Sequence, residues 1–203
     1  IATRWGRLDD LIRSDAFLRM MSKLTGIPDL LYDPYYLGGG THENLDGQGL
    51  EPHVDFNYHP SERWHRRLNL IVYLNQDWDP SWGGVLELFD DPRKGGADQR
   101  VVPGMNRCVV FETTENSWHG FDPIHLPEGR KDLSRKSVAL YFYSQQRPDT
   151  ETAAKHTTIY HAKGLPDWCK PGATLDQAGV EQLRALLAHR DGHIDHLYGE
   201  NAR

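Results

Sequence analysis

The chain has 203 residues, of which 38% are hydrophobic and 26% charged, values that fit a folded domain with a real core and exclude a disordered, collagen-like or coiled-coil chain. A formal net charge of −6, with no long Lys/Arg run to track a phosphate backbone, disfavours a nucleic-acid partner. Two cysteines at no metal-site spacing, no apolar run near the roughly 18 residues of a membrane span and no basic-then-apolar leader set the remaining expectations: no disulfide framework, no membrane and a reducing cytoplasm.

In chain order, Leu8, Leu11, Ile12, Phe17, Leu18, Met20, Met21 and Leu24 recur at helical spacing and predict one amphipathic helix, ended by Gly26 and Pro28. Residues 35–49 are rich in Gly and polar side chains and read as a loop or irregular strand. The β-branched and aromatic run from Arg67 to Asn75 predicts a strand, closed by the turn-like Asp77-Trp78-Asp79-Pro80. Val85–Phe89, Val101-Val102, Cys108–Phe111 and Ser137–Tyr143 are further β-runs, each bounded by Pro, Gly or Asn/Asp clusters. Short strands with no helix between them predict a mainly β sandwich or jelly roll and not a doubly wound sheet. Trp78, Trp82 and Trp118 fit its core or a cleft wall. After Arg147-Pro148 the composition changes, and Leu175–Leu187 predicts a helix with Leu183, Leu186 and Leu187 on one face. The expected organisation is one domain over 1–203, with a β-core of about 30–147, a helix before it and a helical appendage over 148–203.

His53-Val-Asp55 places an imidazole and a carboxylate two residues apart, on one face of an extended backbone. Alone the pattern is weak: an Asp-stabilised turn explains it as well, and among eleven histidines it recurs at His189-Arg-Asp191 and His193-Ile-Asp195. The first match differs from the others in its context, because a series of strands and then His119 in Trp118-His119-Gly120 come after it. Two His and one carboxylate on one face of an iron leave three positions open, the arrangement of non-haem Fe(II) oxygenases. Sixteen residues beyond His119, Arg135 opens a strand whose alternation puts Arg135 and Ser137 on one face and Lys136 on the other. A guanidinium there can grip a carboxylate through two parallel hydrogen bonds. The C-terminal run from His189 to His196 alternates His and Asp but offers no downstream strand cation for a keto acid, and reads as a polar tail near the chain end.

The ordered set His53-x-Asp55, Ile71-Val72-Tyr73-Leu74-Asn75, Trp78, Gly83-Gly84, Pro103, Asn106-Arg107, Trp118-His119-Gly120, Arg135-x-Ser137 and Tyr141 resembles the prolyl 4-hydroxylase-like branch of the 2-oxoglutarate/Fe(II) oxygenases over about residues 35–145. That resemblance implies a double-stranded β-helix with iron ligands His53, Asp55 and His119. It implies that Arg135 binds the distal carboxylate of 2-oxoglutarate with help from Tyr73 and Ser137, and that Asn69, on the strand face of Tyr73, lines the same pocket. It also implies Fe(II), 2-oxoglutarate and O2 as the reaction's requirements, ascorbate as an in vitro reductant, and hydroxylation of a prolyl or other amino-acid side chain with release of succinate and CO2. The substrate is a peptide or protein, or a small metabolite. Neither it nor the oligomeric state is fixed by these residues.

Rival readings lose on particular positions. A cupin-like enzyme needs a His-x-His pair, and a halogenase a small residue in place of Asp55. A nucleic-acid demethylase of the superfamily carries an Arg where this chain has Tyr141. A non-catalytic jelly-roll binding module leaves the intact ligand set without a purpose.

Overall fold

The long strands explain the architecture. In the computed structural model, which describes residues 4–161, 164–166 and 168–201, the chain runs through α1 (Arg4–Ile12), α2 (Asp15–Thr25), β1 (Leu31–Tyr32), β2 (Gly40–Asn44), β3 (Leu50–Val54), β4 (His65–Tyr73), β5 (Leu86–Phe89), β6 (Gln99–Val101), β7 (Cys108–Glu112), β8 (Trp118–Phe121), β9 (Arg135–Ser144), β10 (Ile159–Tyr160) and α3 (Gln177–Asn201). The strands form two five-stranded antiparallel sheets. One has the order β1-β9-β4-β7 with β2 also on β9, the other β10-β3-β8-β5-β6.

β4 and β9 alternate strictly along most of their length, so one face of their sheet is apolar and the other carries chemistry. Leu68, Leu70, Val138, Leu140 and Phe142 pack with Ile12, Met21, Ile27 and Leu30 of the N-terminal segment. Burying each such side chain stabilises the fold by roughly 1.5–3 kcal/mol. The opposite face carries Asn69, Tyr73, Arg135, Ser137 and Tyr141, with Tyr73 opposite Ser137 and Asn69 opposite Tyr141. The register of the pair shifts once, between Arg66 and Leu68, so that Arg66 lies opposite Tyr143 and Leu68 opposite Phe142. This extra residue turns Arg66 away from the apolar face of Leu68 and onto the face of Asn69.

The single N-terminal helix expected from periodicity is two. The break falls at Ser14, whose hydroxyl accepts the Phe17 N–H at 3.2 Å and caps α2. Trp78, Phe121, Ile124 and Leu126 form a second apolar cluster, against which Trp82 packs. The buried Trp78 indole N–H donates to Gly83 O at 3.0 Å. Residues 35–49, expected as a loop or irregular strand, contain the regular strand β2.

Residues 1–161 and 162–203 form two compact units. In the second, α3 continues well past the expected helix of 175–187, through the stretch read as a polar tail. Within that unit the Trp168 indole N–H donates to Gln182 at 2.8 Å. The side chains of His189, His193, Asp195 and His196 lie outside the described residues. Among the described residues no helix is long and apolar enough to cross a membrane.

Candidate metal centre and carboxylate pocket

The two sheets meet at their chemical faces. His53 near the end of β3 lies directly opposite His119 in β8, with ring centroids 4.2 Å apart. The approach requires a residue with no side chain at Gly120, where a Cβ would come within 2.5 Å of Leu50 O. His53 Nδ1 lies 2.8 Å from Glu51 O, and His119 Nδ1 lies 2.9 Å from Ser117 O. A carbonyl only accepts, so the proton of each neutral ring sits on Nδ1 and the Nε2 lone pair is free to bind a metal. Both Nε2 atoms face Asp55, at 3.7 Å from Oδ1 and 3.4 Å from Oδ2. One donor atom from each of the three residues lies within 4.8 Å of the others.

The surroundings hold these groups in the protonation states that a divalent metal requires. Burial, then the neighbouring His119, lowers the His53 imidazole from 6.5 to about 4 against the pull of Asp55. His119 is lowered too, again chiefly by burial. For Asp55, burial works upward, but Arg66, His119, His53 and the Asn69 amide together outweigh it and hold the carboxyl at about 2. Two neutral imidazoles and one carboxylate therefore stand together at neutral pH, a donor set that suits Fe(II) with open positions.

Further in, Arg135 is 4% exposed and Tyr73 fully buried. Arg135 Nε donates to Gly84 O at 2.7 Å, Nη2 to the Tyr73 hydroxyl at 3.2 Å, and Nη1 to Asn44 Oδ1 at 3.4 Å. The guanidinium carbon lies 4.0 Å from the centroid of the Phe121 ring. Gly84 has φ +67°, and a Cβ there would lie 3.1 Å from Arg135 Cδ, which accounts for the second glycine of the Gly83-Gly84 pair. Lys136 points the other way, exposed beside Glu43. Among the described residues no carboxylate forms an ion pair with Arg135. A buried guanidinium that lacks an anion is costly, and a carboxylate ligand would satisfy it.

Most of the residues singled out by the sequence come together here: His53, Asp55 and His119 at one level, Arg135, Tyr73 and the buried Ser137 at the next. Asn69 is on the expected face but serves a different neighbour. Its amide N–H donates to Asp55 Oδ2 at 2.8 Å and its oxygen accepts from Arg66, so it belongs to the level of the histidines and not to that of Arg135. Sequence reasoning missed Arg66 and Asn44, and gave no site role to Phe111, whose ring centroid lies 4.9 Å from that of His119. Alternation along β7 could have found Phe111, and Asn44 carried no signal. Glu87, whose place in its strand suggests nothing beyond a substrate contact, pairs with Arg100 at 3.2 Å. Beside the histidines an open groove of about 280 Å³ is lined by Leu88, Phe89, Phe111, Ser117 and Trp118.

A mainly β protein with a His/Asp/His cluster and a buried arginine between two antiparallel sheets has the features of a non-haem iron oxygenase. The 2OG-Fe(II) oxygenase superfamily matches residues 40–143, just over half of the chain, and the chain belongs to that superfamily. It is 31% identical over 122 residues to prolyl 3-hydroxylase OGFOD1 of Mus musculus, covering 52% of this chain and 22% of that protein. To the Xenopus laevis protein of the same name it is 34% identical over 95 residues, covering 44% and 18%. The chain thus spans about a fifth of the length of these curated relatives. A solved prolyl 4-hydroxylase from Phytophthora capsici is 20% identical, with a TM-score of 0.47, covering 89% of this chain and 50% of that one.

Proposed function

We propose that the two sheets are the double-stranded β-helix of the family and that the chain is an Fe(II)- and 2-oxoglutarate-dependent hydroxylase acting on a prolyl or other amino-acid side chain of a peptide or protein. The observation that carries this reading is three metal-type donors within 4.8 Å of one another, linked through Asn69 to the strand face that also carries Tyr73, Ser137 and a buried Arg135 with no carboxylate partner among the described residues. The prolyl 3-hydroxylase names of its relatives direct the choice of substrate class.

In this reading His53, Asp55 and His119 hold Fe(II). Arg135 receives the distal carboxylate of 2-oxoglutarate, its direction set by Gly84 O and the Tyr73 hydroxyl, with Ser137 beside it. When bound together, Fe(II) and 2-oxoglutarate supply O2 activation coupled to decarboxylation of the keto acid to succinate and CO2. The protein contributes position and dryness. The backbone carbonyls of Glu51 and Ser117 fix the imidazole tautomers, and the Phe111 and Phe121 rings exclude water around the donors. The groove lined by Leu88, Phe111 and Trp118 is where the substrate side chain would approach.

The test is succinate formation by purified protein with Fe(II), ascorbate and 2-oxoglutarate, screened against prolyl peptides and free amino acids, with mass spectrometry for a gain of one oxygen. Stimulation of succinate by a peptide that gains one oxygen is the expected result. No succinate under any condition, with Fe(II) bound, would refute the reading.

A further inference from the structure

Among the described residues Arg66, 1% exposed, is the largest of the side chains that are fully buried, and it touches the candidate metal centre without being one of its ligands. Its guanidinium carbon lies 3.5 Å from the centroid of the Tyr141 ring and 4.4 Å from that of Phe56. Against these two rings, which stand at 85° to each other, its Nε and Nη2 are turned toward Asn69 and Asp55. Nε and Nη2 both donate to Asn69 Oδ1, at 3.2 and 2.7 Å, and Nη2 makes an ion pair with Asp55 Oδ2 at 3.0 Å. Because the Asn69 oxygen is committed to Arg66, its amide nitrogen is the end that faces Asp55, and it donates to the same Oδ2 at 2.8 Å. Oδ2 is therefore engaged by both Arg66 and Asn69 and also lies 3.4 Å from His119 Nε2, while Oδ1 lies 3.7 Å from His53 Nε2.

We propose that Arg66 is a positioning residue for the metal centre: with Asn69 it occupies Asp55 Oδ2, so that the carboxylate would offer an ion one oxygen and not both, and the site would keep the open positions that the keto acid and O2 need. This rests on the reading of His53, Asp55 and His119 as iron ligands. Two imidazoles and a one-armed carboxylate leave three positions on the ion. A two-armed carboxylate would leave two, both of which a chelating keto acid would fill. A carboxylate released from its clamp can turn to bind through both oxygens, and the position lost is one that the reaction requires. The register shift in β4 points the same way, because strict alternation would place Arg66 on the helix-covered face, away from Asp55.

The variant is Arg66→Met, whose apolar stem fills the space between Phe56 and Tyr141. Two equilibrium constants are measured on folded protein, Fe(II) binding first and then 2-oxoglutarate binding to the Fe(II)-loaded protein by its charge-transfer absorption. The Co(II)-substituted protein is compared in parallel, its visible absorption reporting coordination number. The expected result is Fe(II) affinity lower by about 10- to 100-fold, the usual cost of removing a group that orients a metal ligand, 2-oxoglutarate still bound because two positions remain for it, and a Co(II) spectrum shifted toward higher coordination before the keto acid is added. If Arg66→Met does not fold, Arg66→Lys decides by the same Co(II) spectrum, because one ammonium cannot hold both Asn69 and Asp55 in the arginine's geometry. A Co(II) spectrum with the coordination number of the unsubstituted protein would overturn the clamp. Failure of the metal-site reading looks different: the unsubstituted protein would show no Fe(II)–2-oxoglutarate absorption, or the His119→Ala variant would keep it.

Discussion

Arg135 and Asp55 are each buried, and each is matched to a charge of opposite sign, but only Asp55 finds that charge inside the protein, on Arg66. Arg135 keeps two Nη groups near an aromatic wall and waits for an anion from outside. Arg135→Lys is therefore expected to weaken 2-oxoglutarate binding by about 10- to 100-fold, the equivalent of roughly 1.5–3 kcal/mol for a charged hydrogen bond. Fe(II) affinity should stay within a few-fold. Equal 2-oxoglutarate affinity in the two proteins would show that the carboxylate binds elsewhere. Asp55→Ala should abolish turnover, because the anionic ligand is gone, and full activity without added carboxylate would place that ligand elsewhere.

The same residues give the metal-free protein a pH signature. His53 has a folded value of about 4 against an ordinary 6.5, and His119 is lowered in the same direction, so the unfolded chain takes up protons first as the pH falls. Their contribution to stability is complete above about pH 6.5 and is lost as the pH falls below it, for His53 down to about 4. Asp55, held at about 2 against 3.8, withdraws its contribution only below about pH 4. Urea midpoints measured in chelator from pH 7.5 to 3 should fall through this window, and fall less in the His53→Asn variant. Equal slopes in the two proteins would contradict the assignment.

Elements were legible where their period was strict. The alternation of β9 separates Arg135 and Ser137 from Lys136, and the structure keeps that separation, with Lys136 exposed and the other two buried. Spacing also puts His53 and Asp55 on one face, because two residues along an extended chain return to the same face, whereas His119 joined them by its place after the strands. Arg66 was illegible for the converse reason: a one-residue bulge reverses its face, and nothing in the run Arg66-Arg67-Leu68-Asn69 announces the bulge. The short strands β1 and β10, two residues each, have no period to read, and tertiary pairing with β9 and β3 makes them strands. The helix break at Ser14 is readable as a cap, yet the apolar stripe that runs through it masks the break. Two substitutions test the layer that supports the site. Phe142→Ala, at 1% exposure against the N-terminal segment, should cost about 3–5 kcal/mol, and Ser14→Ala about 1 kcal/mol. Both are measured by urea unfolding. A loss under about 1 kcal/mol for Phe142→Ala would show that the helices do not seal that face.

At the scale of the whole chain, the sheets assemble a site from segments far apart in sequence: β3 and its end, β4, β8 and β9. This separates it from the rival His-x-Asp repeats near the C-terminus, which are local in sequence. A metal centre built by two sheets should lose its metal when one strand loses its ligand and should be indifferent to the end of α3. The decisive measurement is Fe(II) stoichiometry together with the Fe(II)–2-oxoglutarate charge-transfer absorption in two variants, His119→Ala and the pair His193→Ala with His196→Ala. The account predicts that His119→Ala removes both signals and that the C-terminal pair leaves both intact. Iron retained without His119 and lost with the C-terminal change would contradict it.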